Sequence, residues 1–378
     1  MMRFRWLPAM LAAVMLVGCV PSKEEQELVQ ESEEAEVETT IIPSHQLDDS
    51  YYKTLIPYKE SATRGMIVTN MATKYDIKEA ESGLMRISQS KFNTEEYYFQ
   101  EGQYITADTA KDWLARESKN ENGLNPAVAE GIDPVVRAKE YPLYLAHIVE
   151  QNYLTSTGNN KIGLGGISIG LAMNSIYYYQ KEQYGEYYEE PISEEELIKQ
   201  GKAMAAKILT RLRANSALEN VPILIGLFKQ NASNEIVPGT YFAYSVADKG
   251  QNSLGDWQSI DEEYVMFPTS DSENAYRDVN DSFTKFKQDV DKYFSNYTSV
   301  VGTGFYQNKK IRKLKIEIPI QFYGTSEIIG FAQYVTGILV NRFSKDMHVE
   351  VSITSINGAE AFIVKERNEQ EPYVHIYN

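Results

Sequence analysis

Residues 312–323, RKLKIEIPIQFY, place Leu314, Ile316, Ile318, Ile320 and Phe322 at every second position. Side chains of a strand alternate between its two faces, so this period of two predicts a β-strand with one dry face. The alternation continues in MHVEVSITSI (347–356) and AEAFIVKE (359–366), joined by Asn357-Gly358, a strong hairpin signal. Between these strands, residues 326–343 carry Ile328, Ala332, Val335 and Leu339 at helical spacing. A helix over 278–301 is predicted ahead of them from Val279, Phe283, Phe286, Val290, Tyr293 and Tyr297. The order is α-β-α-β-β.

An earlier stretch reads in the same order. YPLYLAHIVEQNYL (141–154) has a helical look, and GGISIGLAMNSIYYY (165–179) is a strand with Ile167, Ile169, Leu171 and Met173 on one face. A helix over 193–214 opens with the capping box Ser193 and Glu196 and carries the stripe Leu197, Gly201, Met204, Ile208 and Leu212. VPILIGLFKQ (221–230) and GTYFAYSVAD (239–248) follow as strands. Two such units predict an α+β fold in which antiparallel sheet is covered by helices on one face. The expected organisation is repeat 1 over 136–250, a polar linker over 251–277 and repeat 2 over 278–378. Residues 51–135 are expected as a small N-terminal cap, in keeping with a length beyond what one modest core organises.

The N-terminus is laid out as a signal peptide. Arg3 and Arg5 precede an apolar run over 6–17, too short to span a bilayer. That run ends in Leu16-Val17-Gly18-Cys19, and Cys19 is the single cysteine of the chain. The spacing has the form of a lipobox: small residues let the chain lie extended in a peptidase, and the thiol is the nucleophile that takes a diacylglycerol group. The plainer alternative is a cysteine in a signal peptide cut elsewhere. The lipid reading predicts a signal peptide over 1–18, cleavage between Gly18 and Cys19, and anchoring by two acyl chains at the extracellular face of the cell membrane. Its processing partners are a diacylglyceryl transferase and a lipoprotein signal peptidase. Residues 19–50, rich in Glu, are expected as a disordered tether reaching up to roughly 100 Å.

A net charge of −16 repels phosphate backbones and excludes nucleic acid as a natural partner. GGISIG matches G-x-S-x-G, yet Ser168 lies inside an alternating strand and not at a strand-to-helix elbow, so the expectation is no catalytic serine. His45, His147, His348 and His375 are scattered, without metal-ligand spacing or a neighbour that would activate them. No cofactor or metal is expected. Glu194, Glu195 and Glu196 suit a helix start, where they face the positive end of the dipole. Tyr177, Tyr178, Tyr179, Tyr184, Tyr187 and Tyr188 form a cluster, of which Tyr184, Tyr187 and Tyr188 are the candidates for ligand contact. A partly buried strand end with a solvated loop is the plainer account of them.

Several stretches carry a family resemblance beside the lipobox: YYKTLIPYKESATRG (51–65), GLNP (123–126), IGLAMNSIYYY (169–179), QGKAMAAKILTRLR (200–213), FYGTSEIIGFAQYV (322–335) and PYVHIYN (372–378). On these the chain resembles the CamS lipoproteins of low-GC Gram-positive bacteria, known as sex pheromone precursors, over nearly its whole mature length. The resemblance implies two repeats and a processing route. The signal peptidase releases the leader, and a membrane protease trims it to a short apolar peptide that acts in conjugation. The corresponding heptapeptide is AAVMLVG, from Ala12 to Gly18. The resemblance implies no catalytic residue in the mature part, for which a surface binding module for glycan, peptide or a host protein is the alternative role.

Overall fold

The computed structural model describes residues 26–30, 38–158, 161–271, 274–293, 299–322, 324–369 and 371–377. The chain opens with β1 (Gln26–Gln30), β2 (Glu38–Ile42) and β3 (Lys53–Thr54), then α1 (Arg64–Asn70), α2 (Lys74–Ser88), β4 (Tyr98–Glu101), α3 (Ala107–Leu114) and α4 (Pro134–Glu140). It continues through β5 (Leu145–Gly158), β6 (Lys161–Asn174), β7 (Ile176–Gln180), β8 (Tyr187–Pro191), α5 (Glu194–Arg213), β9 (Ile223–Gln230), β10 (Thr240–Ala247) and β11 (Gln258–Ser259). The last part holds β12 (Glu262–Phe267), α6 (Asn274–Tyr293), β13 (Val301–Gln307), β14 (Lys310–Pro319), α7 (Thr325–Arg342), β15 (Val349–Ser355), β16 (Gly358–Lys365) and β17 (Tyr373–Ile376). The fold is mixed α+β.

Two sheets dominate. The first runs β11-β10-β9-β6-β5-β4-β3 and the second β12-β13-β14-β15-β16-β17. Each centres on a hairpin, a helix and a parallel neighbour: β5/β6, α5, β9 in one and β13/β14, α7, β15 in the other. A further antiparallel strand, β10 or β16, completes each set. The sheets are therefore mixed, because a helix crossover returns the chain parallel to the strand it left.

Within the segment 141–154, where a helix was expected, the chain enters strand β5 at Leu145. The strand lies between β4 and β6, and its side chains are buried toward both faces, Leu145 and Ile148 on one side and Val149 and Tyr153 on the other. A strand dry on both faces loses its period of two and reads as a helix. Strand β13, too, lies beyond the expected pattern; both units contain β-β-α-β-β, with the β7/β8 hairpin inserted before α5 in the first and α6 placed ahead of β13 in the second.

The first sheet is covered on both faces. α5 is capped by Ser193, whose Oγ accepts from Glu196 N–H, and its Leu197, Met204, Ile208 and Leu212 pack on Ile167, Ile169, Leu171, Ile223, Ile225 and Leu227. Ala80, Leu84 and Ile87 of α2 pack on the opposite face with Phe92, Tyr153, Leu224, Phe228 and Tyr241. Residues 51–135 thus supply β3 and β4 to the first sheet and α2 to its second face. One face of the second sheet is covered by α6 and α7, around Phe283, Phe286, Phe331, Val335, Ile316 and Val351. Along β14 the intervening Lys315 and Glu317 stay exposed.

The stretch expected as a linker contributes β11 and β12, so the chain steps from the edge of one sheet at Ser259 to the edge of the next at Glu262. Within the expected tether, β1 pairs antiparallel with β2 and parallel with β6. The units meet across α2. Arg86 donates Nε to Glu262 (3.0 Å) and Nη2 to Glu262 (2.6 Å) and to Glu79, while Tyr264 Oη donates to Glu79 (2.7 Å).

Candidate functional site

Leu16, Val17, Gly18, Cys19 and the heptapeptide ending at Gly18 lie outside the described residues. The tyrosine cluster is described, and it forms a hairpin of its own. β7 and β8 pair antiparallel with Tyr179 opposite Tyr188 and Gln180 opposite Tyr187. Cross-strand neighbours share a face, so Tyr177, Tyr179 and Tyr188 make one row: Tyr177 and Tyr179 stack at 6.3 Å, and Tyr179 and Tyr188 lie 5.7 Å apart. Lys181 Nζ caps this row 3.9 Å from the Tyr188 ring. Tyr178 Oη accepts from Ser233 N–H (2.8 Å), docking the hairpin on the loop after β9.

The other two candidates leave the packed row. Tyr184 sits at the tip with φ of 64° and is 91% exposed, and Tyr187 is 73% exposed. An open groove of about 460 Å³ runs beside them, lined by Pro134 and Arg137 of α4 and by Tyr177, Gln180 and Tyr187. The structure thus separates the three: Tyr188 is partly buried in packing, while Tyr184 and Tyr187 are free faces.

A second concavity had no counterpart in the sequence reading. It holds about 370 Å³ between α1, α2, β4 and β5. Ile67, Met85, Phe99 and Val149 line it, together with Glu81, Glu101 and His147. Glu101 is committed, accepting from Tyr58 Oη and from Ser61 N–H (2.7 Å), with Arg64 Nε at 3.7 Å. Partial desolvation and the charge of Glu101 push the Glu81 carboxyl above its ordinary range. Burial lowers the His147 imidazole to about 4, so the ring is neutral. Glu150, also on the wall, accepts from the backbone N–H groups of Gln103, Tyr104 and Ile105 (3.0, 3.0 and 2.7 Å) and anchors the loop after β4.

The G-x-S-x-G run has a packing role. Gly166, Ser168 and Gly170 fall on one face of β6; a Cβ at 166 would overlap the Phe92 ring and one at 170 the Tyr241 hydroxyl. Ser168 is buried in mid-strand and accepts from Ser88 Oγ (2.7 Å). The other histidines are apart from one another: His45 is exposed before β3, His348 lies between Glu350 and Glu366, and His375 is on β17. Among the described residues no group of three or more His, Cys, Asp or Glu side chains is placed to hold a metal, and no helix is long and apolar enough to cross a membrane.

A family model described as CamS sex pheromone cAM373 precursor matches residues 58–371. A search of curated proteins returns no match. Among solved structures, the sex pheromone precursor of Lactobacillus salivarius subsp. salivarius UCC118 superposes with a TM-score of 0.82 at 35% identity, covering 88% of this chain and 98% of that one. The C-terminal domain of the sex pheromone staph-cAM373 precursor from Staphylococcus aureus gives a TM-score of 0.71 at 33% identity, covering 82% of this chain and 98% of that one. By its family match and by these two folds, the chain belongs to the CamS sex pheromone precursor family.

Proposed function

We propose that this chain is a lipid-anchored protein of the extracellular face of the cell membrane whose released leader supplies a short apolar signalling peptide, Ala12 to Gly18. The observation that carries the reading is the match of residues 58–371 to a pheromone-precursor family, on a chain whose apolar leader ends in Leu16-Val17-Gly18-Cys19. The Cys19 thiol loses its proton and attacks the glyceryl carbon of a diacylglyceryl phospholipid; the C–S bond of the thioether forms as the C–O bond to the phosphate headgroup breaks, and the headgroup phosphate leaves with the electron pair. Hydrolysis of the Gly18–Cys19 bond then frees a peptide ending in the Gly18 carboxylate and leaves the lipidated amine on the folded part. Synthetic AAVMLVG, applied at low concentration to plasmid-bearing recipient cells, is expected to raise clumping or plasmid transfer. A flat dose response rejects the peptide role.

The mature domain is read as non-enzymatic. Ser168 is buried and bonded inside a strand, and the four histidines lie in separate places. Its own work, in a second reading, is surface recognition through the β7/β8 hairpin. The exposed rings of Tyr184 and Tyr187 favour that reading, since flat apolar faces with polar tips suit sugar rings or peptide side chains. A glycan array probed with wild type and with Tyr184→Ala plus Tyr187→Ala tests it for glycan. Signals shared by both proteins, or none at all, reject the hairpin as a glycan reader.

A further inference from the structure

We propose that the cavity between α1, α2, β4 and β5 binds the free amino terminus of a short apolar peptide. Its volume of about 370 Å³ lies at the small end of ligand pockets, enough for a terminal residue and its neighbour and too little for a folded partner. Three features define what fits.

The first is an acceptor left open. Glu101 is occupied by Tyr58, Ser61 and Arg64, whereas the Glu81 carboxylate accepts no hydrogen bond from the described residues. Glu81 stands on α2 one turn from Lys78, which also reaches the cavity. Glu81 is exposed at the rim of the cavity, where Glu101 repels its charge more than Arg64 offsets it, so an incoming ammonium would relieve the site.

The second is a donor left open. His147 is 2% exposed and its ring lines the cavity. Asn70 Nδ2 lies 3.3 Å from Nδ1; an amide nitrogen only donates, so Nδ1 accepts and the ring proton sits on Nε2. That Nε2–H has no acceptor among the described residues. Because the ring lines the cavity, a ligand carbonyl seated there can accept from it.

The third is the apolar floor of Ile67, Met85, Phe99 and Val149. A cation, a carbonyl oxygen close to it and an apolar side chain together describe the first residue of a peptide with an unblocked α-amine. A plain alkylamine has no carbonyl for His147, and an acylated peptide has no cation for Glu81.

The test is calorimetric titration of the mature full-length protein with the tripeptide Leu-Ala-Gly. Saturable binding of the free tripeptide is expected, weakened by at least about tenfold on N-acetylation and by a similar factor in Glu81→Gln, because the charge-assisted bond is lost in both. Hexylamine should bind more weakly than the tripeptide. His147→Phe, which removes the donor, should weaken the free tripeptide, and an unchanged melting temperature of Glu81→Gln keeps the result interpretable if His147→Phe folds poorly. The proposal is overturned if free and acetylated tripeptides bind alike, if Glu81→Gln binds as wild type does, or if no heat of binding appears at millimolar tripeptide.

Discussion

Replacing Arg86 with Met tests how the two sheets are joined. The guanidinium makes a two-pronged contact to Glu262 and a further bond to Glu79, with side-chain exposures of 26% for Arg86, 6% for Glu79 and 3% for Glu262. It also stacks over Phe305, 4.6 Å from the ring centroid. Burial alone would make the guanidinium easier to deprotonate, but the bonds to Glu262 and the charges of Glu79 and Glu262 outweigh it, so the cation is held firmly. Methionine keeps much of the apolar stem and removes the cation that both carboxylates bond. Glu79 retains Tyr264 Oη and Ser82 Oγ, and Glu262 retains Gln307 Nε2, none of which balances a charge. Breaking a buried pair in this way costs about 3–5 kcal/mol, because the stranded carboxylate stays desolvated. Here two carboxylates are stranded close together, which places the expected loss at the upper end. Adding Glu79→Gln and Glu262→Gln removes both charges and should recover most of it. Urea unfolding followed by circular dichroism measures all three proteins. A loss under about 1 kcal/mol for Arg86→Met, or a triple variant no better than the single one, refutes the reasoning.

Other expectations follow from the packing and from titration. Gly166→Ala pushes a methyl into the Phe92 ring, which is already stacked on Tyr153 at 4.7 Å, and should cost about 1–3 kcal/mol in urea unfolding. Gly337→Ala, inside α7 with nothing within 4 Å of the added carbon, should instead gain up to about 1 kcal/mol; the two together check whether close approach or helix propensity decides. His147 is neutral in the fold to about pH 4 and titrates near 6.5 when unfolded, so its contribution is full above pH 6.5 and is lost as pH falls toward 4. That loss amounts to about 3 kcal/mol, and His147→Gln should flatten the acid limb of stability against pH by that amount. His348 works in the opposite sense: its bond to Glu350 raises its affinity for protons, so its contribution is present below pH 6.5 and fades above it. The difference between wild type and His147→Gln therefore isolates His147.

The legible parts of the fold were those where each element reports its own burial. α5, α7, β14 and the β15/β16 turn at Asn357-Gly358 lie where the pattern of apolar residues put them. β5 was misread because both of its faces are dry. β13 was missed because two of its three inward positions, Gly302 and Gly304, carry no side chain and only Tyr306 is apolar; the mass over the glycines belongs to Phe283 and Phe267, 2.7 and 2.8 Å from where a Cβ would stand. A strand whose core contribution is written on other elements has no periodic signature. The candidate sites divide along the same line. The tyrosine hairpin was visible because its residues are consecutive, although sequence could not tell the packed Tyr188 from the free Tyr184 and Tyr187. The cavity was invisible because Ile67, Glu81, Glu101 and His147 come from four elements that only the tertiary fold brings together.

Membership of a pheromone-precursor family makes the bond between Gly18 and Cys19 the central point of the account. Mass spectrometry of the N-terminal peptide of the mature protein, isolated from the cell membrane, tests it most directly. The account predicts a first residue of Cys19 carrying a thioether-linked diacylglycerol. A mature chain that begins elsewhere, or a Cys19 with a free thiol, contradicts it.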